Sequence, residues 1–208
     1  MIPRYDIINF LTAKFEQCRY LEIGSYRHEC FSKIEAAVKD DIDPNGEART
    51  APVFKMTSDE FFSTRAYELV PGFIRRRIYD VIFIDGLHLC EQVLKDVLNS
   101  SRHLSQDGYI ILHDCLPEKE EYQTRQQSSH IAWNGDVWKT QAWLVENFEN
   151  VVTIKDSDCG CGIINGKVEF ELPSINKLLK YEWSDFSNEL LRVVDWNEYK
   201  SRKSSNNS

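Results

Sequence analysis

The run IYDVIFI at residues 78–84 constrains the fold more than any other segment of the chain. It is apolar and rich in branched side chains, the composition of a central parallel strand covered on both faces. Helices supply such cover, so strand and helix signals should alternate along the chain. Residues 3–16 place Ile7, Ile8, Leu11 and Phe15 at helical spacing. Further strands are expected at 19–23, 40–42, 52–55, 109–112, 151–154, 162–164 and 167–170. Helices are expected at 29–38, at 57–65 behind a Thr57-x-x-Glu60 capping box, at 89–103 and at 135–148. Asn165-Gly166 carries the signal of a type I′ hairpin. Two short helices, at 174–180 and 185–194, follow. The pattern predicts an α/β fold: a Rossmann-like doubly wound sheet, mostly parallel, with a C-terminal antiparallel hairpin. Residues 1–170 form the domain, 171–200 a helical tail, and the polar 201–208 a disordered end.

Charge narrows the function classes. The 208 residues carry a formal net charge of −8, which repels phosphate backbones and argues against a nucleic-acid partner. The basic run Arg75–Arg76–Arg77 reads as a solvated loop. No apolar run approaches the roughly 20 residues that span a bilayer, and residues 1–10 lack a signal-peptide core, so a cytoplasmic protein is expected. None of the six cysteines forms a Cys-x-x-Cys pair, which leaves no zinc or thioredoxin-type centre indicated.

In a doubly wound sheet, ligands bind beyond the carboxyl ends of the strands. Here those ends are polar in succession: Glu22, Gly24, Ser25 and Tyr26; then Asp43; then Ser58 and Asp59; then Asp85 and His88; then His113 and Asp114. A dinucleotide fingerprint needs three glycines, but Tyr26 and His28 occupy the second and third positions. No phosphate cradle is evident, and Glu22 would repel a pyrophosphate. S-adenosylmethionine has no phosphate and carries an ammonium and a sulfonium, which an acidic strand end suits. Asp43 stands about twenty residues further on, the spacing at which a carboxylate holds a ribose diol. Ser58 and Asp59 follow the next strand, where an adenine could sit, although capping of a helix explains them too.

In order and at matching intervals, YLEIGSYRHECF, DIDP, MTSDEFF, YDVIFIDGLHLCEQVLKDV and LSQDGYIILHDC occur, followed by WNGDVWK and DCGCG. Over roughly residues 18–165 they resemble the small stand-alone class I S-adenosylmethionine-dependent methyltransferases of bacteria, a group related to sugar and antibiotic O-methyltransferases and more distantly to catechol O-methyltransferase. The resemblance implies a seven-stranded sheet with an antiparallel last hairpin. It implies that Glu22, Gly24 and Asp43, with Ser25 and Tyr26, hold the methionine part and ribose, that Ser58 and Asp59 hold the adenine side, and that Asp85 borders the methyl group. In metal-dependent members the positions of Asp85 and Asp114 bind a divalent cation such as Mg²⁺. Cys115 falls where catechol O-methyltransferase has an asparagine ligand, leaving His88 or His113 to fill that place. His28 stands where the family usually keeps glycine, so its side chain would crowd or contact the methionine moiety.

Methyl transfer requires removal of the acceptor's proton, for which His88 and His113 are candidates on the correct rim. Asp136 and Lys139 lie where an acceptor lid would be, and the tryptophans there, Trp133 and Trp138, read as core more than as a stack for the acceptor. The expected activity is O-methylation of a small molecule or of a sugar in a glycan. A non-catalytic cofactor-binding or assembly module is the alternative, and a nicotinamide-dependent oxidoreductase a more distant one. Oligomer formation is open, since the tail around Trp183 and Trp196 could pack on its own domain or on another chain.

Overall fold

The computed structural model describes residues 1–45, 53–127 and 132–205. Helix α1 (Arg4–Thr12) leads into strand β1 (Arg19–Ile23), and β2 (Val38–Ile42) pairs with β1 in parallel. A short helix α2 (Ser58–Glu60) runs into a π-helical turn at Phe61–Arg65. The hairpin β3 (Tyr67–Val70) and β4 (Phe73–Arg76) follows, and then β5 (Tyr79–Ile84) returns to the centre of the sheet. Helix α3 (Cys90–Arg102), β6 (Leu104–Leu112), α4 (Val137–Asn147), β7 (Val151–Ile154) and β8 (Cys161–Asn165) complete the alternation. The chain ends with α5 (Asn176–Leu179), β9 (Val193–Val194) and α6 (Trp196–Ser205). The main sheet has seven strands in the order β2-β1-β5-β6-β8-β7-β9, with β8 antiparallel to both neighbours. This is the expected doubly wound, Rossmann-like sheet.

Alternation along β5 explains its central place. Ile82 and Ile84 pack with Val93, Leu94 and Val97 of α3 and Trp138 and Leu144 of α4. Val81 and Phe83 point the other way, to Ile7, Ile8 and Leu11 of α1 and Trp196 and Tyr199 of α6. Each such side chain contributes roughly 1.5–3 kcal/mol on burial, which no single-faced strand could collect on both sides.

Several local expectations are corrected. Residues 29–38 do not form an α-helix; only Phe31–Lys33 makes a 3₁₀ turn. Side chains take the backbone groups instead: Lys39 Nζ donates to the carbonyls of Phe31 and Ile34, and Asn9 bonds Lys33 O and Glu35 N. The strand expected at 52–55 is reduced to one bridge between Phe54 and Ile42, and residue 52 lies outside the described residues. Arg75 and Arg76 belong to β4 rather than to a loop. The antiparallel hairpin joins β7 to β8, not β8 to residues 167–170. Val168 instead docks on α3, its N–H donating to Ser101 Oγ at 2.8 Å and its carbonyl accepting from the same hydroxyl at 2.7 Å.

Residues 185–194 supply β9 in place of a helix. The Arg192 guanidinium there donates to the carbonyls of Phe148, Glu149 and Val151. Residues 196–205 are helical, while 206–208 of the end expected to be disordered lie outside the described residues. Trp196 packs edge-on against Phe10 and is buried, and the partly buried Trp183 stacks on Phe186, so both tail tryptophans pack against their own chain.

Replacing Ser101 by Ala removes both bonds to Val168 and leaves two buried backbone groups unpaired. The variant should lose about 1–3 kcal/mol of stability in urea denaturation; an unchanged midpoint would refute this anchor.

Candidate active site

Three parallel strands end side by side above one cavity. Gly24 N donates to Ile42 O at 2.8 Å, and Asp85 N donates to Ile23 O at 2.8 Å. Gly24 has φ +88°, and a Cβ there would lie 2.2 Å from Asp85 O, so no other residue fits. The cavity has a volume of about 760 Å³, within the usual range for small-ligand sites. Glu22, Gly24, Ser25, Tyr26, Asp43, Ser58, Asp59, Asp85 and His88 line it. All of these were expected from strand ends.

Glu22 is 1% exposed and accepts a 2.5 Å hydrogen bond from Tyr20 Oη. Burial pushes its carboxyl up to about 8, against the pull of the Tyr20 hydrogen bond. Ser25 Oγ is buried without a hydrogen-bond partner among the described residues. Asp43 is fixed by the backbone: Oδ2 accepts from Tyr26 N at 2.8 Å and Oδ1 from Asn45 N at 2.7 Å. Tyr26 and His28 both adopt positive φ, 44° and 59°. That turn carries the His28 ring onto Asp41 Oδ2 at 2.8 Å and beside Phe31, and it does not line the cavity.

The capping box before Ser58 and Asp59 forms, with Glu60 N donating to Thr57 Oγ1 and Thr57 N to Glu60 Oε2. It positions Ser58 and Asp59 opposite α3. Asp59 pairs with Lys95 at 2.6 Å. Gln92 Nε2 reaches Asp96 Oδ1 at 3.2 Å and Ser58 Oγ at 3.4 Å. Gln92 and Asp96 also line the cavity and were not foreseen. The available signal was polar residues four apart on a helix whose other inward positions are apolar. Asp96 is 1% exposed, and burial pushes its carboxyl up to about 7, although hydrogen bonds from Ser58 and Gln92 oppose this.

The densest charge cluster surrounds Asp85. Its Oδ1 faces His113 Nδ1 at 3.3 Å and His88 Nε2 at 3.4 Å, and its Oδ2 faces Arg4 Nε at 3.7 Å. Asp114 faces the same imidazoles, at 3.2 Å from His88 and 3.3 Å from His113. Burial opposes the charge on Asp85, but the two imidazoles overcome it and hold the carboxyl below its ordinary range. Burial likewise opposes both imidazolium ions, yet the paired carboxylates raise both histidines.

His113 is engaged at both nitrogens, since Nε2 also meets Asp158 O at 3.0 Å, and it stands with Asp114 behind the cavity wall. His88 lines the wall, stacked on Trp133 with ring centroids 5.0 Å apart. Asp114 has φ 58°, strained for a non-glycine residue, and accepts from Asn134 Nδ2 at 2.6 Å. Arg4 and Asn134 were missed because neither follows a strand of the expected set, and Asp158 because it stands four residues beyond its strand, in the Asp-Cys-Gly-Cys-Gly segment.

Cys115 is fully buried with its thiol toward the Leu112 and His113 carbonyls, so it offers no ligand to this cluster. Asp136 caps α3 through Cys90 N at 2.7 Å and pairs with Arg125 at 2.6 Å. Trp138 is core, while Lys139 is partly exposed on the far side of α4.

Residues 20–115 match a family model described as a methyltransferase domain. No curated protein matches the sequence. A putative caffeoyl-CoA O-methyltransferase from Staphylococcus aureus is similar in structure, at 18% identity and a TM-score of 0.54 over 78% of this chain and 83% of that one. An O-methyltransferase of tomaymycin synthesis from Streptomyces achromogenes, solved with SAM, is similar at 12% identity and a TM-score of 0.51, covering 79% and 80%. A Podospora anserina methyltransferase bound to SAH is similar at 16% identity and a TM-score of 0.51, covering 79% and 78%. These likenesses establish the fold. The matched segment is similar to a methyltransferase domain, and it contains the strand ends at Glu22, Asp43 and Asp85 that line the cavity.

The Asp96 shift has a sign that can be tested. A carboxyl at 3.8 in the unfolded chain and about 7 in the fold favours the neutral form when folded. Its contribution is full below the unfolded value and is lost as pH rises through the folded one. Relative to the native protein, Asp96→Asn should therefore gain stability, by up to a few kcal/mol, between about pH 5 and about pH 8. Equal stability differences at both pH values would contradict the shift.

Proposed function

We propose that the protein transfers a methyl group from S-adenosylmethionine to a hydroxyl of a small molecule or of a glycan sugar. The observation that carries this reading is the cavity lined by acids that closes over Gly24 at the strand ends. Glu22, Ser25 and Tyr26 would surround the methionine moiety, and Asp43 would accept from the ribose hydroxyls. Ser58, Asp59 and the cavity-lining Gln92 and Asp96 would flank the adenine. When bound, S-adenosylmethionine supplies an electrophilic methyl, taken by the acceptor oxygen in line with departure of the neutral thioether. Asp85 and His88 border the place where that oxygen must stand. His88, held flat by Trp133, would take the acceptor's proton. The hydroxyl assignment draws support from the descriptions of the S. aureus and S. achromogenes proteins as O-methyltransferases.

The cluster also fits a divalent cation. Ligand atoms of Asp85, His113 and Asp114 lie within 4.8 Å of one another, and Asn134 Oδ1 is buried without a partner among the described residues. Two carboxylates with an imidazole suit manganese, iron or zinc better than magnesium. Such an ion would orient and acidify the acceptor hydroxyl.

Release of S-adenosylhomocysteine over a panel of catechols and sugars tests the reading. Asp85→Ala should reduce it by roughly 100-fold or more, and a chelator should reduce it in the native protein. Turnover that survives the Asp85 substitution would contradict the assignment; turnover indifferent to chelator would remove the cation.

A further inference from the structure

The hairpin β3–β4 has no part in the site. It leaves the domain at the opposite end of the sheet, two residues before the start of β5, and its base is tied to the start of β1 through Glu68 and Arg19. Its register places Leu69 opposite Ile74 on one face and Val70 opposite Phe73 on the other. Leu69 is 87% exposed, Phe73 62% and Ile74 66%. A hairpin that rests on a protein surface needs one apolar face. This one is apolar on both faces at its tip, and the tip closes in Pro71-Gly72, with open space around Gly72.

Below the apolar tip the charge reverses. The pair Tyr67 and Arg76 sits one step nearer the body on the face of Leu69 and Ile74. The single acid of the hairpin, Glu68, is neutralised by Arg75 and Arg77. Arg65, Arg76 and Arg102 are exposed around the base and make no ion pair with a carboxylate among the described residues; Arg76 Nη1 donates to Arg102 O. This collar stands on a chain whose net charge is −8.

We propose that the hairpin docks the protein on an anionic phospholipid surface. A strand rises about 3.3 Å per residue, so Arg76 lies roughly 13 Å from the turn and Ile74 roughly 7 Å. Interfacial elements bury their apolar part about 5–10 Å into the headgroup boundary, which places the four apolar side chains in acyl chains and the arginines at phosphates. Tyr67 sits at the level of the headgroups, where aromatic side chains concentrate. The acidic body is repelled from the same surface, which orients the molecule tip-down. The cavity, at the other end of the sheet, then stays open to water.

Co-sedimentation with vesicles of phosphatidylcholine alone, and of phosphatidylcholine with phosphatidylglycerol, tests this. The protein should pellet with the anionic vesicles only, and less so as salt rises. The double substitution Leu69→Ser and Phe73→Ser should weaken binding roughly tenfold or more at an unchanged melting temperature. Arg76→Glu, at an exposed site, should weaken it independently. Protein that stays in the supernatant with both lipids, or binding that these variants retain, would overturn the proposal. A native dimer that the double variant dissociates, without vesicle binding, would overturn it in favour of a second copy as the occupant.

Discussion

The contact between Gly24 and the backbone at Asp85 and Gly86 is the constraint on which the site depends. A Cβ on Gly24 would meet Asp85 O at 2.2 Å and Gly86 Cα at 2.5 Å. Only an unsubstituted residue with a left-handed backbone lets β1 and β5 end so close together. That approach sets the carboxylates of Glu22 and Asp85 on the wall of one cavity, with Ile42 of β2 bonded to the same glycine. Everything the strand ends contribute is positioned from this junction.

Bringing acids together under cover has an electrostatic consequence. Glu22 and Asp96 escape it by holding their protons to about 8 and about 7. Asp85 stays ionised because two imidazoles and Arg4 surround it. The cavity thus offers acids, and an ammonium or sulfonium ligand would let the neutral ones ionise. A pyrophosphate would meet the carboxylates of Asp43, Asp59 and Asp85 on the cavity wall.

Much of this was legible because strands buried on both faces leave a continuous apolar record, and 19–23, 78–84 and 151–154 stand in the sheet nearly as read. The polar strand ends marked the cavity for the same reason. What escaped depended on long-range partners. Residues 29–38 look helical until Asn9 and Lys39 take their backbone groups. Val168 looks like a strand residue until Ser101 claims it. The hairpin β3–β4 was hidden because its tip is apolar on both faces and gives no alternation. Arg4, Asn134 and Asp158 reach the Asp85 cluster from segments distant in the chain, and no local spacing announces that.

The central claim is that this cavity binds S-adenosylmethionine rather than a dinucleotide. Calorimetric titration of the purified protein with S-adenosylhomocysteine and, separately, with NAD tests it most directly. Saturable binding of S-adenosylhomocysteine, weakened by Asp43→Ala, with no heat from NAD, is the expected result. Binding of NAD, or of neither compound, would contradict the account.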